Sequence, residues 1–356
     1  MPPLEPAPPL SRFEFWPGWI FYLPIWGLVI GLAIRHRGLR LPLLANPALP
    51  AGGLVGESKS EAFAALSGPE RDVLAPYATL LRCGNAGVQV AVAEAAMAAA
   101  GIGYPVVAKP DLGCRGAGVR PVRDRAELLA YLHGFPRGET LILQRLAVGA
   151  GEAGVFYVRE PGRRQGGILS LTLKYFPEII GDGRATIETL IRRDPRAGQV
   201  ARLYLPRFAG RLGEVPASGE RVPLVFAGNH SKGAIFRDGR GFVTEALVTR
   251  FDAIADSIPG FHFGRFDVRF ADFAAFRGGQ GFTIVEFNGA GAEATHIWDS
   301  RMTLFGAWKT LARQMALLFA IGAANRRLGH RPEGWRMLIA RWRRERRATK
   351  RYPLTA

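Results

Sequence analysis

The stretch from Gly264 to His296, GRFDVRFADFAAFRGGQGFTIVEFNGAGAEATH, limits most narrowly what this chain can fold into. It reads as two strands joined by a Gly-rich turn. Successive side chains of a strand point to opposite faces, so Arg265, Asp267 and Arg269 share one face of the first strand, and Glu286 and Asn288 share one face of the second. Phe266, Val268 and Phe270, with Val285 and Phe287, point the other way and form a core face. If the strands are neighbours, two carboxylates, an amide oxygen and two guanidiniums converge on one small surface. Hard oxygen ligands of that kind suit Mg2+, which takes few protein carboxylates and leaves its other positions to water and phosphates. The arginines would neutralise phosphate charge. The competing reading is an amphipathic hairpin whose charged face is simply solvated.

A chain of 356 residues, 48% of them hydrophobic, has ample material for a core and fits two to three subdomains. Its two cysteines, Cys83 and Cys114, lack metal-ligand spacing, so neither a disulfide framework nor a zinc site is expected, and the bulk of the chain reads as cytosolic. The formal charge of +17 calls for an anionic partner, either nucleic acid or an acidic membrane surface. The placement of the charges favours the membrane. Residues 15–34, FWPGWIFYLPIWGLVIGLAI, carry no charge, and Arg35, His36, Arg37 and Arg40 follow at once. That length just spans a hydrocarbon core, and the basic flank places the remainder on the cytoplasmic side. Pro17 and Pro24 keep a kinked, re-entrant or interfacial segment open, as well as a buried packing helix. The Pro-rich first ten residues are expected to be disordered. At the other end, Trp335, Leu338, Ile339 and Trp342 fall at helical spacing, and residues 336–351 hold eight basic residues and one Glu. This is the pattern of a basic amphipathic helix lying on an anionic bilayer. Nucleic-acid binding competes but lacks a recognised module, and a solvated basic tail is the remaining alternative.

Between these ends, residues 41–58 read as a loop leading to a helix capped by Ser58 or Ser60. Further helices are expected at 87–100, 125–133, 186–193 and 248–257, strands at 105–109, 140–144, 154–159 and 168–174, and helix after residue 302. VVAKPDLGCRGAGV, residues 106–119, is an apolar strand delivering Lys109 into a turn with Gly113, Gly116 and Gly118. Backbone N–H groups in such a turn can face an anion, with the lysine adding a point charge. It is neither a Walker loop nor a dinucleotide fingerprint. LILQRLAVGAGEAGVFYV then offers a strand ending at Gln144 and an acid at Glu152, an arrangement able to serve a nucleoside or simply to connect two strands.

The order of these pieces resembles the ATP-grasp superfamily, in particular its carboxylate-amine ligases. GRFDV and VEFN look like the corresponding segments of D-alanine-D-alanine ligases, and Lys174-Tyr175 resembles a Lys-Tyr pair those ligases carry. GDGRATIETLI, residues 181–191, and NHSKGA, residues 229–234, look like segments of cyanophycin synthetases and related members. The resemblance covers about residues 58–300. It implies an α+β ATP-grasp fold, two subdomains clasping ATP, over residues 105–300. Residues 1–40 would form the tail and apolar membrane segment, 41–104 a linker with a truncated preceding region, and 301–356 the C-terminal helices. It further implies Lys109 on the α and β phosphates under the Gly113, Gly116 and Gly118 loop, with Lys59 as an additional ATP lysine. Gln144, Arg145, Leu146 and Ala147 would form the adenine hinge and Glu152 the ribose contact. Asp267, Glu286 and Asn288 would bind Mg2+, with Mn2+ as an alternative, while Arg265, Arg269 and Lys174 attend the transferring phosphate; His296 either meets substrate near the metals or is structural. The implied activity joins a carboxylate to an amine or thiol through an acyl phosphate, on small-molecule or lipid-linked substrates at the membrane. Homo-oligomers are common in the family. Two departures stand out: the usual N-terminal substrate domain has no counterpart here, and GAGAEATH replaces a Pro-Gly turn. A nucleotide-binding membrane protein without ligase activity, assisting envelope polymer synthesis, is the leading alternative, and a nucleic-acid-binding protein the next.

Overall fold

In the computed structural model, which describes residues 1–113 and 115–355, the alternating apolar segments pair into antiparallel sheets within an α+β fold. Cys114 therefore lies outside the described residues, and Cys83 is a free, exposed thiol. The first sheet has the order β1 (Tyr77–Leu81), β4 (Thr140–Arg145), β2 (Val106–Pro110), β3 (Arg120–Val122). The helices α4 (Ala86–Ala99) and α5 (Arg125–Gly134) cover one of its faces, burying Val90, Met97, Leu128 and Leu132 against Leu80, Val106 and Leu141. Each helix starts where a short polar side chain accepts an otherwise unpaired N–H: Asn85 Oδ1 from Gly87 at 2.8 Å and Asp124 Oδ1 from Glu127 at 2.8 Å. Because β1 pairs with β4, the boundary that the sequence suggests at residue 105 falls inside one sheet.

The second sheet has the order β11 (Phe282–Asn288), β10 (Phe263–Phe270), β5 (Gly151–Val158), β6 (Gly167–Tyr175), β9 (Ile235–Asp238). Its apolar face carries Phe266, Val268, Ile284 and Phe287 into the largest core cluster, against Phe63 of α3 (Lys59–Ala65), Phe251 of α8 (Glu245–Asp256) and Phe276 of α9 (Phe273–Arg277). Ser58 caps α3, accepting from Glu61 N at 3.2 Å. A third small unit, β7 (Glu178–Ile180) with β8 (Arg221–Pro223), packs on α6 (Ile187–Arg193) and α7 (Ala201–Tyr204).

Two expectations are corrected at the ends of the chain, and one competing alternative is set aside. The first ten residues have defined partners: Pro2 O accepts from the Tyr175 hydroxyl at 3.0 Å, Glu5 pairs with Arg301 at 2.7 Å, and Pro9 O accepts from Arg196. Residues 15–34 do not make one membrane-crossing helix. They break into α1 (Gly18–Phe21) and α2 (Leu23–Arg35), with Pro24 in the first turn of α2, where its missing N–H costs nothing. The 13 residues of α2 extend about 20 Å, against roughly 30 Å of hydrocarbon. Among the described residues no helix is long and apolar enough to cross a membrane. Instead Phe21, Ile25 and Leu32 pack against α10 (Leu304–Arg327). Finally, α11 (Trp335–Thr349) is not a free tail, because Glu345 accepts from Gly56 N at 2.9 Å and Tyr352, just beyond it, donates to Leu112 O at 2.6 Å.

Candidate active site

Both main sheets contribute to the wall of one cavity of about 1020 Å3, at the upper end of the roughly 300–1,000 Å3 usual for ligand sites. From the first sheet come Lys109 on β2, Gln144 and Arg145 at the end of β4, and Leu146 and Ala147 after it. From the second come Glu152, Lys174, Arg265, Asp267, Arg269, Glu286 and Asn288. Residues from both ends of the sequence resemblance thus meet in one space.

Asp267 lies directly opposite Glu286 and Arg265 opposite Asn288 in the β10–β11 pairing. A bulge after Asp267 shifts the register, so that Val268 pairs with Ile284 and one residue of β11 is left over. That residue is Val285. The sequence puts it in the core, but the bulge turns it to the cavity and gives its core position to Ile284. The same shift is what lets Phe282 and Ile284 face the core while Glu286 and Asn288 face the site. The Val285 carbonyl accepts at 2.8 Å from Lys109 Nζ, which also donates to Gln144 Oε1 at 2.7 Å. Lys109 therefore ties the two sheets together at the cavity wall. Burial pulls its pKa down to about 8, with the Glu286 carboxylate opposing that fall and Lys59 adding to it.

The second sheet carries a buried network of alternating charge. Lys174 Nζ sits 3.0 Å from Glu152 Oε1 and 2.9 Å from Asp267 Oδ1. Arg265 grips the same Asp267 with two bonds, Nε to Oδ1 at 3.0 Å and Nη2 to Oδ2 at 3.1 Å, and Arg269 Nε lies 3.4 Å from Glu152 Oε2. Gly154 faces Asp267 across β5 and β10, and a Cβ there would crowd Asp267 Oδ1 and the Arg265 side chain. Burial alone would raise the Asp267 pKa, but the Arg265 and Lys174 charges outweigh it and hold the carboxyl at about 2. Burial likewise acts to deprotonate Lys174, and Asp267 and Glu152 overcome it, keeping the ammonium above its ordinary pKa. Glu286 is the uncommitted member. Its side chain is 29% exposed, has no hydrogen-bond partner among the described residues, and meets only Lys59 Nζ at 3.8 Å.

Lys59, Gly113 and Gly118 do not line the cavity, whereas Gly116 does. Lys59 donates to Gly113 O at 2.7 Å, and Asp111 clamps the start of α3 by accepting from Ser58 Oγ and Ser60 N, each at 2.7 Å. Gly116 and Gly118 adopt positive φ, a region L side chains rarely enter, and the chain end holds both: Thr355 Oγ1 donates to Gly116 O at 2.8 Å and accepts from Gly118 N at 3.2 Å. Of the two readings left open for His296, the structural one fits its surroundings. It is fully buried behind the sheet, with Nδ1 2.6 Å from Ser170 Oγ, and burial pulls its pKa down to about 4.

Several wall residues had no sequence signal of their own. Tyr22 of the apolar N-terminal segment donates to Glu293 Oε2 at 2.5 Å, and Trp298 Nε1 donates to Glu293 Oε1 at 2.6 Å. His230 stacks on Trp298 with ring centroids 4.4 Å apart, and its buried Nδ1 has no partner among the described residues. Burial, with Arg115, Arg196 and Arg265 nearby, pulls the His230 pKa down to about 3, so the ring is neutral. His230 sits in the NHSKGA segment, whose pattern drew notice while the histidine itself did not.

Among the described residues no group of three or more His, Cys, Asp or Glu is arranged to hold a metal ion. The donor set of two opposed carboxylates and the Asn288 amide oxygen nonetheless fits Mg2+, a cation that completes its shell with water and substrate phosphates rather than a protein cage. The uncommitted Glu286 is the observation that favours this fit.

No protein-family profile matches the chain, and no curated protein does. Solved structures similar to it include a bifunctional glutathione synthetase from Pasteurella multocida, at 17% identity over 71% of this chain and 35% of that one, with a TM-score of 0.34. The D-cycloserine synthetase DcsG is similar at 14% identity over 76% of this chain and 69% of that one, TM-score 0.38. The VanG D-Ala:D-Ser ligase from Enterococcus faecalis is similar at 12% identity over 76% and 64%, TM-score 0.42. This chain spans about a third of the length of the glutathione synthetase. At these scores the likeness is remote, and the chemistry rests on the chain's own residues.

Proposed function

We propose that the protein is an ATP- and Mg2+-dependent ligase of the ATP-grasp kind, joining a carboxylate to an amine or thiol through an acyl phosphate. The observation that supports this reading is the meeting, in one cavity between two antiparallel sheets, of Lys109 and the Gln144 to Ala147 segment with Asp267, Glu286, Asn288 and the flanking cations. Gln144, Arg145, Leu146 and Ala147 form the nucleoside wall, and Lys109 reaches the inner phosphates. Asp267, Glu286 and Asn288 would hold Mg2+, which when bound neutralises and aligns phosphate oxygens. Arg265, Arg269 and Lys174 supply fixed positive charge where the phosphoryl group transfers. A carboxylate oxygen attacks the γ-phosphorus and ADP leaves. The amine nitrogen then attacks the acyl carbon, loses a proton and expels phosphate. Position and electrostatics are the chain's contribution: among the described residues of the wall Ser231 donates to Asn229 Oδ1 at 2.8 Å rather than to its neighbour His230.

The test is release of ADP and phosphate from ATP by purified protein, against pools of candidate acids and amines, for wild type beside Glu286→Gln. Release that needs Mg2+, an acid and an amine, and that disappears in the variant, supports the ligase. Saturable nucleotide binding with no release in any pool, alkyl-chain acids and amines included, rejects it.

A further inference from the structure

Beyond the charged wall the cavity continues into an apolar limb. Phe21, Ile25 and Val29 line it from one side, and Leu311, Met315 and Leu318 of α10 from the other. Residues that both line the cavity and stand exposed at the surface mark its mouth: Trp16, Leu39, Leu54 and Trp335. The limb therefore runs from the phosphate-handling end toward the surface near the end of α2 and the start of α11.

The helix that walls this limb is apolar all round. The inner face of α2 is Ile25, Val29 and Leu32, preceded by its N-cap Tyr22; its outer face is Leu23, Trp26, Ile30 and Ile34, spaced as one helical stripe and exposed, Ile34 at 73%, with exposed Trp19 of α1 just before it at 72%. A stripe this apolar facing water is unusual unless something covers it. Charge at its border points to what does. Arg35, Arg37 and Arg40 follow the stripe directly, and Arg40 links it to the next basic element, donating to Glu333 O at 2.9 Å with its guanidinium 5.9 Å from the Trp335 ring. There α11 adds exposed Trp335, Met337, Ile339 and Trp342 among the arginines that give residues 336–351 eight basic groups. Five of the seven tryptophans lie in these two segments. Tryptophan beside arginine at an apolar border matches the interface of an anionic bilayer.

We propose that the substrate is an amphiphile drawn from an anionic bilayer on which the outer face of α2 and the apolar side of α11 rest. Its alkyl chain lies in the limb between α2 and α10, and its polar head reaches the Asp267 and Glu286 end of the same cavity. The proposal deepens the ligase reading by naming the substrate class. Its tests need no turnover, so the two readings fail separately.

Two binding measurements on the full chain decide it. The first is co-sedimentation with phosphatidylcholine vesicles with and without phosphatidylglycerol. Binding should require phosphatidylglycerol, fall in high salt, and weaken about tenfold or more in the Trp26→Ser, Ile30→Ser variant. The second is fluorescence of cis-parinaric acid, an alkyl-chain probe, with the protein in solution. Saturable binding should survive Trp26→Ser, Ile30→Ser and be lost when the limb is filled by Val29→Trp. Met315→Trp, from the opposite wall, serves should the first filling variant not fold. Indifference to vesicle charge, or no binding to vesicles, overturns the proposal. So does sedimentation equilibrium showing a dimer that dissociates in Trp26→Ser, Ile30→Ser, which would make a second copy the cover. Probe binding unaffected by either filling variant overturns it as well.

Discussion

At its β-sheet end the cavity is walled by side chains that hold one another through charge, Lys174 between Glu152 and Asp267 and Arg265 across Asp267, whereas at its helical end the side chains of Phe21, Ile25 and Leu318 pack in apolar clusters. The first wall is placed by strand register, where pairing β5 with β6 and β10 sets Glu152 opposite both Lys174 and Arg269. The second wall is placed by packing alone. A charged wall of this kind tolerates almost no deletion, since each ion is buried on the strength of its partners. The apolar wall can exchange carbon for carbon, including carbon that belongs to a ligand. That difference suits one end to fixed chemistry and the other to a variable chain.

The comparison is broken most severely by Lys174→Met. Removing the central ammonium leaves Glu152 and Asp267 buried with one partner fewer each, and urea unfolding should show a loss of about 3–5 kcal/mol. A loss below about 1 kcal/mol would mean that charge does not hold this wall. On the helical wall, Phe21→Ala empties a fully buried site and should cost about 3–5 kcal/mol, while Trp26→Ala, 65% exposed on the outer face of the neighbouring helix, should stay within about 0.5 kcal/mol. Equal costs would erase the distinction between the inner and outer faces. Glu286→Gln sharpens the contrast in another way. Because Glu286 is uncommitted, its change should leave the unfolding midpoint nearly unmoved and lower turnover by about 100-fold or more, the scale of losing one electrostatic contact to the reacting group. The smallest effect is a titration. Lys109, with its pKa near 8 in the free protein, loses its charge as pH rises through that value. Nucleotide affinity should then be about tenfold weaker at pH 9 than at pH 7, and Lys109→Arg, which stays charged, should flatten the profile.

How much of this could be read from residues alone depended on the range of the interaction. The Asp267 and Glu286 hairpin was legible because alternation in a strand is a two-residue rule, and both strands obey it locally. Val285 was misplaced because the bulge is a property of the pairing with β10 and leaves no mark in FTIVEFN itself. Residues 15–34 were ambiguous for a physical reason: an uncharged run of twenty reads alike whether its partner is lipid or another helix, and the packing of Phe21 and Ile25 on α10 appears only in three dimensions. The Tyr22 to Glu293 bond joins residues 271 apart, beyond any local pattern. The hold of Thr355 on the Gly-rich loop is equally remote, and it shows why removing the basic tail would disturb that turn as well as any membrane contact.

The most direct measurement is photolabelling with 8-azido-ATP in the presence of Mg2+, with the labelled peptides mapped by mass spectrometry. Label on the segment around Gln144 to Ala147 or on β2 beside Lys109, protected by ATP and diminished without Mg2+, is the result this account predicts. Label that ATP does not displace, or that maps away from the cavity between the two sheets, would contradict it.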